Sequence, residues 1–181
     1  DVGININTVP VLDVRRINAH KIIGNRSFST NAKNVTILGN ICINLFNKNK
    51  IATVIKHIPG HGLSKNDSHH ETPVINAKKS ELKKIDFLPF KNCNSIFAMT
   101  AHNIYKSYDK ENTATHSKII IKTVIRNYIK FKGILISDDI SMKSLKFNLE
   151  ENAIKALEAG CNLILHCNGN ISQMNKLAKI I

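Results

Sequence analysis

The chain has 181 residues, 43% hydrophobic and 22% charged, which suits one globular domain with a sizeable core and excludes a disordered or collagen-like chain. No apolar run is long enough to span a bilayer, and the four cysteines (Cys42, Cys93, Cys161, Cys167) form no Cys-x-x-Cys pair, which argues against a disulfide or zinc framework. The net charge of +13 invites a nucleic-acid reading, but the lysines are scattered, and Lys, Asn and Ile, in joint excess, share A/T-rich codons, so compositional drift accounts for the charge and no nucleic-acid partner is expected.

Short apolar runs alternate with longer helical patterns. Residues 4–11 read as a strand running into a proline-broken loop. Residues 34–46 read as a helix, with Val35, Leu38, Cys42 and Leu45 at the spacing of one face. Residues 51–55 are rich in β-branched side chains and predict a strand. A helix over 80–90 with Ser80 as its cap follows, then a strand over 95–99 that ends in Thr100-Ala101-His102-Asn103. Ser117 caps a helix through about residue 129, with Ile120, Ile121, Val124 and Ile125 on its buried side. Residues 133–136 form a strand ending in Ser137-Asp138-Asp139, and residues 149–159 a helix stopped by Gly160. The strand over 163–165 ends in His166-Cys167-Asn168, and a last helical pattern begins near Ile171.

Strands alternating with helices imply βαβ units and a parallel sheet covered on both faces. Asp13, Lys56-His57, His102, Asp138 and Asn168 all follow the C-terminal end of a predicted strand. In a barrel of such units that face carries the active site. An open doubly wound sheet would place its site there too, but no Gly-x-Gly-x-x-Gly turn or phosphate loop occurs, which favours the barrel.

Between residues 56 and 70 lie four histidines (His57, His61, His69, His70), Lys56 and Asp67, among Pro59, Gly60 and Gly62. The run is too polar for a core and too irregular for a helix, so it reads as a loop that holds functional side chains. Asp67 and His69, two apart in an extended loop, project to one side, so the carboxylate can fix the imidazole's tautomer for proton transfer. A solvated loop of ordinary histidines is the plainer alternative. A metal site built from His57, His61, Asp67 and His69 is a second, although Pro59 and Gly60 preclude a helical pair and no zinc spacing appears. Asp138 at a strand mouth is costly unless used or paired, and a helix cap or salt bridge is its structural alternative. Lys56 and Arg26 could reach a sugar hydroxyl or carboxylate, or be surface charges.

The segments Asn7–Val14, Ile23–Ser29, Lys56–His69, Met99–His102, Ser137–Met142 and Ala159–Asn162, in this order and spacing, resemble the β-N-acetylglucosaminidases of glycoside hydrolase family three, of the bacterial type used in peptidoglycan recycling. The Lys-His-x-Pro-Gly-His-Gly-x4-Asp-Ser-His run carries most of the specificity, and two departures are Ile58 in place of Phe and Asn162 in place of Asp. The resemblance implies a (β/α)8 TIM-like barrel, of which 1–181 would hold about the last five units, the opening strands preceding Asp1. It implies Asp138 as nucleophile, His69 as proton donor and acceptor oriented by Asp67, and Arg26, Lys56 and His57 as sugar-binding groups. It further implies a cytoplasmic enzyme, monomeric when complete, with no cofactor, no metal and no membrane partner. Its substrates would be N-acetylglucosaminyl-1,6-anhydro-muropeptides, cleaved with retention, and phosphate is a conceivable acceptor besides water. A metal-dependent hydrolase on the same barrel, or a non-catalytic basic remnant, are the competing readings.

Overall fold

The computed structural model describes residues 3–17, 19, 23–64 and 71–180. Its seven strands are β1 (Ile6–Asn7), β2 (Ala52–Ile58), β3 (Val74–Ile75), β4 (Phe97–Thr100), β5 (Ile104–Tyr105), β6 (Ile134–Asp139) and β7 (Leu163–Leu165). Five of them form one parallel sheet in the order β1-β2-β4-β6-β7, and β3 and β5 make a small parallel pair. The helices are α1 (Ala32–Lys48), α2 (Lys79–Lys84), α3 (Leu149–Ala159) and α4 (Ile171–Ile180), with a π-wound helix at Ile120–Tyr128. Strand order follows chain order with a helix between most neighbours, which is the α/β partial barrel that the alternating pattern predicts.

Caps explain most helix limits. The Asn31 side chain accepts from the N–H groups of Lys33 and Asn34 at the start of α1, and Asn148 accepts from Glu151 N–H at the start of α3. Gly160 ends α3 in the left-handed conformation, as expected. Ser117 does cap the next helix, accepting from Ile120 N–H at 3.1 Å, and Ile120, Ile121, Val124 and Ile125 are its buried residues. Its winding is looser than the sequence spacing implies, closing with Ile129 N–H on Val124 C=O.

Four expectations need correction. The helix predicted over 80–90 is shorter: α2 ends at Lys84, its cap position is Lys78, and Ser80 lies inside it. The chain leaves the helical path at Ile85 (φ -121°, ψ -66°), and a short 3-10 turn at Leu88–Phe90, with Pro89 in its first turn, follows. On α1 the buried face is Val35, Gly39 and Ile43, not the face through Leu38 and Leu45, which are exposed. Gly39 leaves room for the Leu12 side chain, whose Cδ2 would stand 2.4 Å from a Cβ there. The first strand is ladder-paired only over Ile6–Asn7, and Pro10, which has no N–H to give, contributes its carbonyl alone to Lys56 N–H. Finally, β2 runs three residues beyond the predicted end, through Lys56, His57 and Ile58.

That extension contains an irregularity. Lys56 pairs with Met99 and Ile58 with Thr100, so β2 spends one residue more than β4. The same happens between β6 and β7, where Ile136 pairs with Leu163 and Asp139 with Leu165. There the buried Ser137 hydroxyl accepts from Leu165 N–H at 2.9 Å, standing in for a ladder carbonyl. The core between sheet and helices is apolar, with Leu12, Ile43, Ile55, Phe87, Tyr105, Ile125 and Leu135 fully buried.

Candidate active site

The two strand irregularities flank a cavity of about 340 Å³ at the C-terminal ends of the strands. Arg26, Lys56, His57, His61, Asp138 and Cys167 contribute to its lining. Five of the six come directly from the ends of β2, β6 and β7 or the residues just after them. Arg26 comes from the 3-10 turn Gly24–Arg26. Thus Asp138, Lys56, His57 and Arg26, four of the expected site residues, meet around one space. Asp67 and His69 lie outside the described residues. The chain before them is fixed by buried Ser64, and after them Thr72 donates its hydroxyl to Ser144 C=O in the loop that follows β6.

The loop leaving β2 depends on two glycines. Gly60 has φ +138°, and a Cβ there would stand 2.6 Å from Asp86 C=O. A Cβ at Gly62 would overlap the Val14 carbonyl. The tight path brings the His57 and His61 rings to 5.6 Å centroid separation.

Beneath them sits Asp13, fully buried. Its carboxylate accepts from His61 N–H at 2.6 Å and from His57 N–H at 3.2 Å, and its Oδ2 lies 2.7 Å from His57 Nδ1. Burial pushes the Asp13 carboxyl up, but the His57 and His61 groups outweigh it and hold it below its ordinary value. His57 Nε2 points the other way, 4.0 Å from Asp138 Oδ2. Sequence position alone groups Asp13 with the cavity residues; the fold places it one layer below them.

Asp138 and Asp139 divide their tasks. Asp139 Oδ1 accepts from the N–H groups of Ser141 and Cys167 and its carboxylate takes the Ser141 hydroxyl, so its bonds tie together the loops that follow β6 and β7. Asp138 instead faces the cavity, and Asp139 N–H donates to its Oδ1 at 2.9 Å. Burial pushes the Asp138 carboxyl up, yet His57 foremost, with the Asp139 N–H, holds it below 3.8. Burial lowers the Lys56 ammonium, Asp138 opposes that shift and Arg26 adds to it. Burial first, and then the neighbouring His57 ring, depress His61 to about 4, so its ring is neutral near pH 7.

His102 does not line the cavity. It is buried, and Nε2 lies 3.0 Å from Asp139 C=O, which can only accept, so Nε2 carries the proton. Nδ1 lies 2.7 Å from the Thr115 hydroxyl. It holds the peptide that follows Asp139. Asn168 is also outside the lining and bonds to Gln173. Cys167 takes the place expected for it: successive residues leaving a strand point opposite ways, so Leu165 and Cys167 reach the cavity while His166 and Asn168 do not. That alternation was the available signal for Cys167. Among the described residues no three of His, Cys, Asp and Glu converge as metal ligands, and no helix is long and apolar enough to cross a membrane.

Asn162, one of the two departures, accepts from Leu135 N–H and from the Arg126 guanidinium through its side-chain oxygen. The other, Ile58, is fully buried. Both positions serve the scaffold and leave the cavity lining unchanged.

The chain is similar to known proteins both in sequence and in fold. The chain is 38% identical over 173 residues to a beta-hexosaminidase of Actinobacillus pleuropneumoniae, covering 92% of this chain and 49% of that protein. It is 37% identical over 174 residues to a beta-hexosaminidase of Shewanella frigidimarina, covering 93% and 50%. The chain spans about half the length of the curated relatives it matches. NagZ from Neisseria gonorrhoeae, solved in complex with N-trifluoroacetyl-D-glucosamine, superposes with a TM-score of 0.88 at 33% identity, covering 98% of this chain and 51% of that one. A glycoside hydrolase family 3 beta-N-acetylglucosaminidase from Paenibacillus sp. superposes with a TM-score of 0.92 at 29% identity, covering 98% and 35%. The description Glycosyl hydrolase family 3 N terminal domain matches residues 1–181. With its whole length matched and its fold superposing on solved members, the chain belongs to the glycosyl hydrolase family 3 N-terminal domain family.

Proposed function

We propose that the complete protein is a retaining β-N-acetylglucosaminidase in which Asp138 is the nucleophile. The observation that carries this reading is the Asp138 carboxylate, held ionised at the cavity while its neighbour Asp139 is consumed by structural bonds. An ionised carboxylate 4.0 Å from an imidazole, with Lys56 and Arg26 on the same cavity, suits attack on an anomeric carbon while cations hold the sugar's hydroxyls. The names of the relatives support N-acetylglucosamine as the sugar cleaved, and the sugar analogue bound to one of them agrees with it.

In this reading Arg26, Lys56 and His57 bind the sugar. Asp138 attacks the anomeric carbon as the glycosidic bond breaks, and His69, oriented by Asp67, gives its proton to the leaving oxygen. His69 then deprotonates the water that releases the glycosyl group from Asp138, restoring both residues. The substrate class is N-acetylglucosaminyl-1,6-anhydro-muropeptides of peptidoglycan recycling, and the site of action is the cytoplasm. The test uses the complete polypeptide and a chromogenic β-N-acetylglucosaminide. Cleavage that vanishes in Asp138→Asn with the fold intact supports the reading, and full turnover in that variant removes Asp138 from the nucleophile role. Release of N-acetylglucosamine from the anhydro-muropeptide disaccharide with a higher kcat/KM than from a chitin disaccharide supports the substrate class, and the reverse order removes it.

A further inference from the structure

Asp13 is the most deeply buried charge near the cavity, and the proposed reaction does not use it. Among the described residues no lysine or arginine is within ion-pair distance of it: its one side-chain ion pair is with His57, and Lys56 acts on it only from farther away. A buried carboxylate of that kind is costly unless its bonds are well made. Here both oxygens are engaged, by the backbone N–H groups of His57 and His61 and by the His57 ring. The group is held in its ionised form and can therefore only accept. His57 Nδ1, at 2.7 Å, must then be the donor. The proton on one ring nitrogen is fixed by what the other nitrogen's side of the ring meets, and here the fixed side is the buried one.

We infer that Asp13 is a positioning residue: it locks a proton on His57 Nδ1 and thereby sets which way, and in which form, His57 Nε2 meets Asp138 and the bound sugar. The inference rests on the reading of Asp138 as nucleophile. It requires two features of the fold at once. The extra residue in β2 turns the His57 side chain between the buried layer and the cavity, and the turn through Pro59 and Gly60 returns His61 N–H to the same carboxylate. Asp13 thus couples the ring to the backbone of the loop that leaves β2.

Asp13→Asn is the informative change. It keeps the volume, and its carbonyl oxygen can still accept from the two backbone N–H groups. Its NH2 then faces His57 Nδ1 and, being a donor, forces the ring's proton to Nε2, the wrong tautomer for the wild-type site. The same substitution behind a catalytic histidine in serine proteases costs about 10⁴-fold in turnover with little change in geometry. Two measurements on the complete protein decide the matter. In nitrogen-15 NMR of the wild type, His57 Nδ1 should carry a proton, and in Asp13→Asn that proton should sit on Nε2. A wild-type ring with bare Nδ1 overturns the inference, and this result needs neither activity nor a foldable variant. In a double-mutant cycle, Asp13→Asn should lower kcat/KM at least about tenfold in the wild type and add little on a His57→Ala background. Equal losses on both backgrounds would mean that Asp13 supports the structure without acting through His57, and would overturn it. Failure of the wild type to cleave any β-N-acetylglucosaminide would instead sink the functional reading and leave the NMR result standing by itself.

Discussion

Asp138 and Asp139 are adjacent, yet one is free to face the cavity because the other satisfies Ser141 and Cys167. The assignment predicts distinct phenotypes. Asp138→Asn should reduce turnover by about 10³-fold or more with an unchanged denaturation midpoint, whereas Asp139→Asn should mainly destabilise. Because Asp138 is held below 3.8, its own protonation should not limit activity until the pH falls under the ordinary carboxylate range. Removing the neighbouring ring in His57→Gln takes away the group that lowers it, so the carboxyl should protonate more readily and the acid limb of kcat/KM should move to higher pH. An unmoved limb would show that His57 does not tune Asp138. For His69 the expected loss in His69→Ala is roughly 10²- to 10⁴-fold with poor leaving groups and far smaller with nitrophenolate, read from kcat across a leaving-group series.

At the level of elements, the bulges in β2 and β6 are the features that shape the site. Ser137→Ala deletes the acceptor of Leu165 N–H in a fully buried position. We expect a loss of about 1–3 kcal/mol in urea denaturation, with reduced activity because Asp138 is the next residue. The alternation of strands and helices and the clustering of polar residues after strands were legible in the sequence, since both follow from periodicities that each segment carries locally. The bulges were not: an added residue becomes visible only against a partner strand, and the β-branched run ending at Ile55 gave no sign that pairing continues to Ile58. The buried face of α1 was misread because apolar residues lie on two of its sides, and Gly39, buried against Leu12, carries no hydrophobic signal. Similarly, Asp13 stood in the right cluster but its depth depends on the loop folding back over it. Asp67 and His69, the pair with the clearest sequence signature, fall outside the described residues.

For the whole molecule, two consequences follow from what is buried and what is not. His61 and His116 are both depressed to about 4 by burial first, and each contributes stability that is present above its unfolded value of 6.5 and lost as the pH falls through about 4. Each shift corresponds to about 3 kcal/mol at most. Asp86, raised to about 6 by burial against the pull of Arg16, works oppositely, stabilising as it takes up a proton over the same interval. Two imidazoles outweigh one carboxyl, so the denaturation midpoint should fall between pH 6.5 and 4, and less steeply in His116→Gln. A midpoint that rises on acidification would contradict the burial of these rings. In addition, Ile37, Leu38, Ile41 and Leu45 form an exposed apolar stripe on α1, and Ile4 and Ile6 are exposed beside the β1 edge. A polypeptide of these 181 residues alone should self-associate in sedimentation experiments, and Leu38→Lys with Leu45→Lys should diminish it.

The added residues in β2 and β6 also mean that the site is specified by chain length as well as by side-chain identity. Deleting the added residue from either bulge would let the ladder run straight, the residues beyond it keeping their partners. In β2 the added residue is His57 itself, between Lys56 and Ile58, and in β6 the surplus falls within Ser137-Asp138, so the deletion would remove or re-aim a side chain of the site. Among relatives of this chain, the loss or gain of one residue in either stretch should therefore be rarer than the exchange of one apolar ladder residue for another.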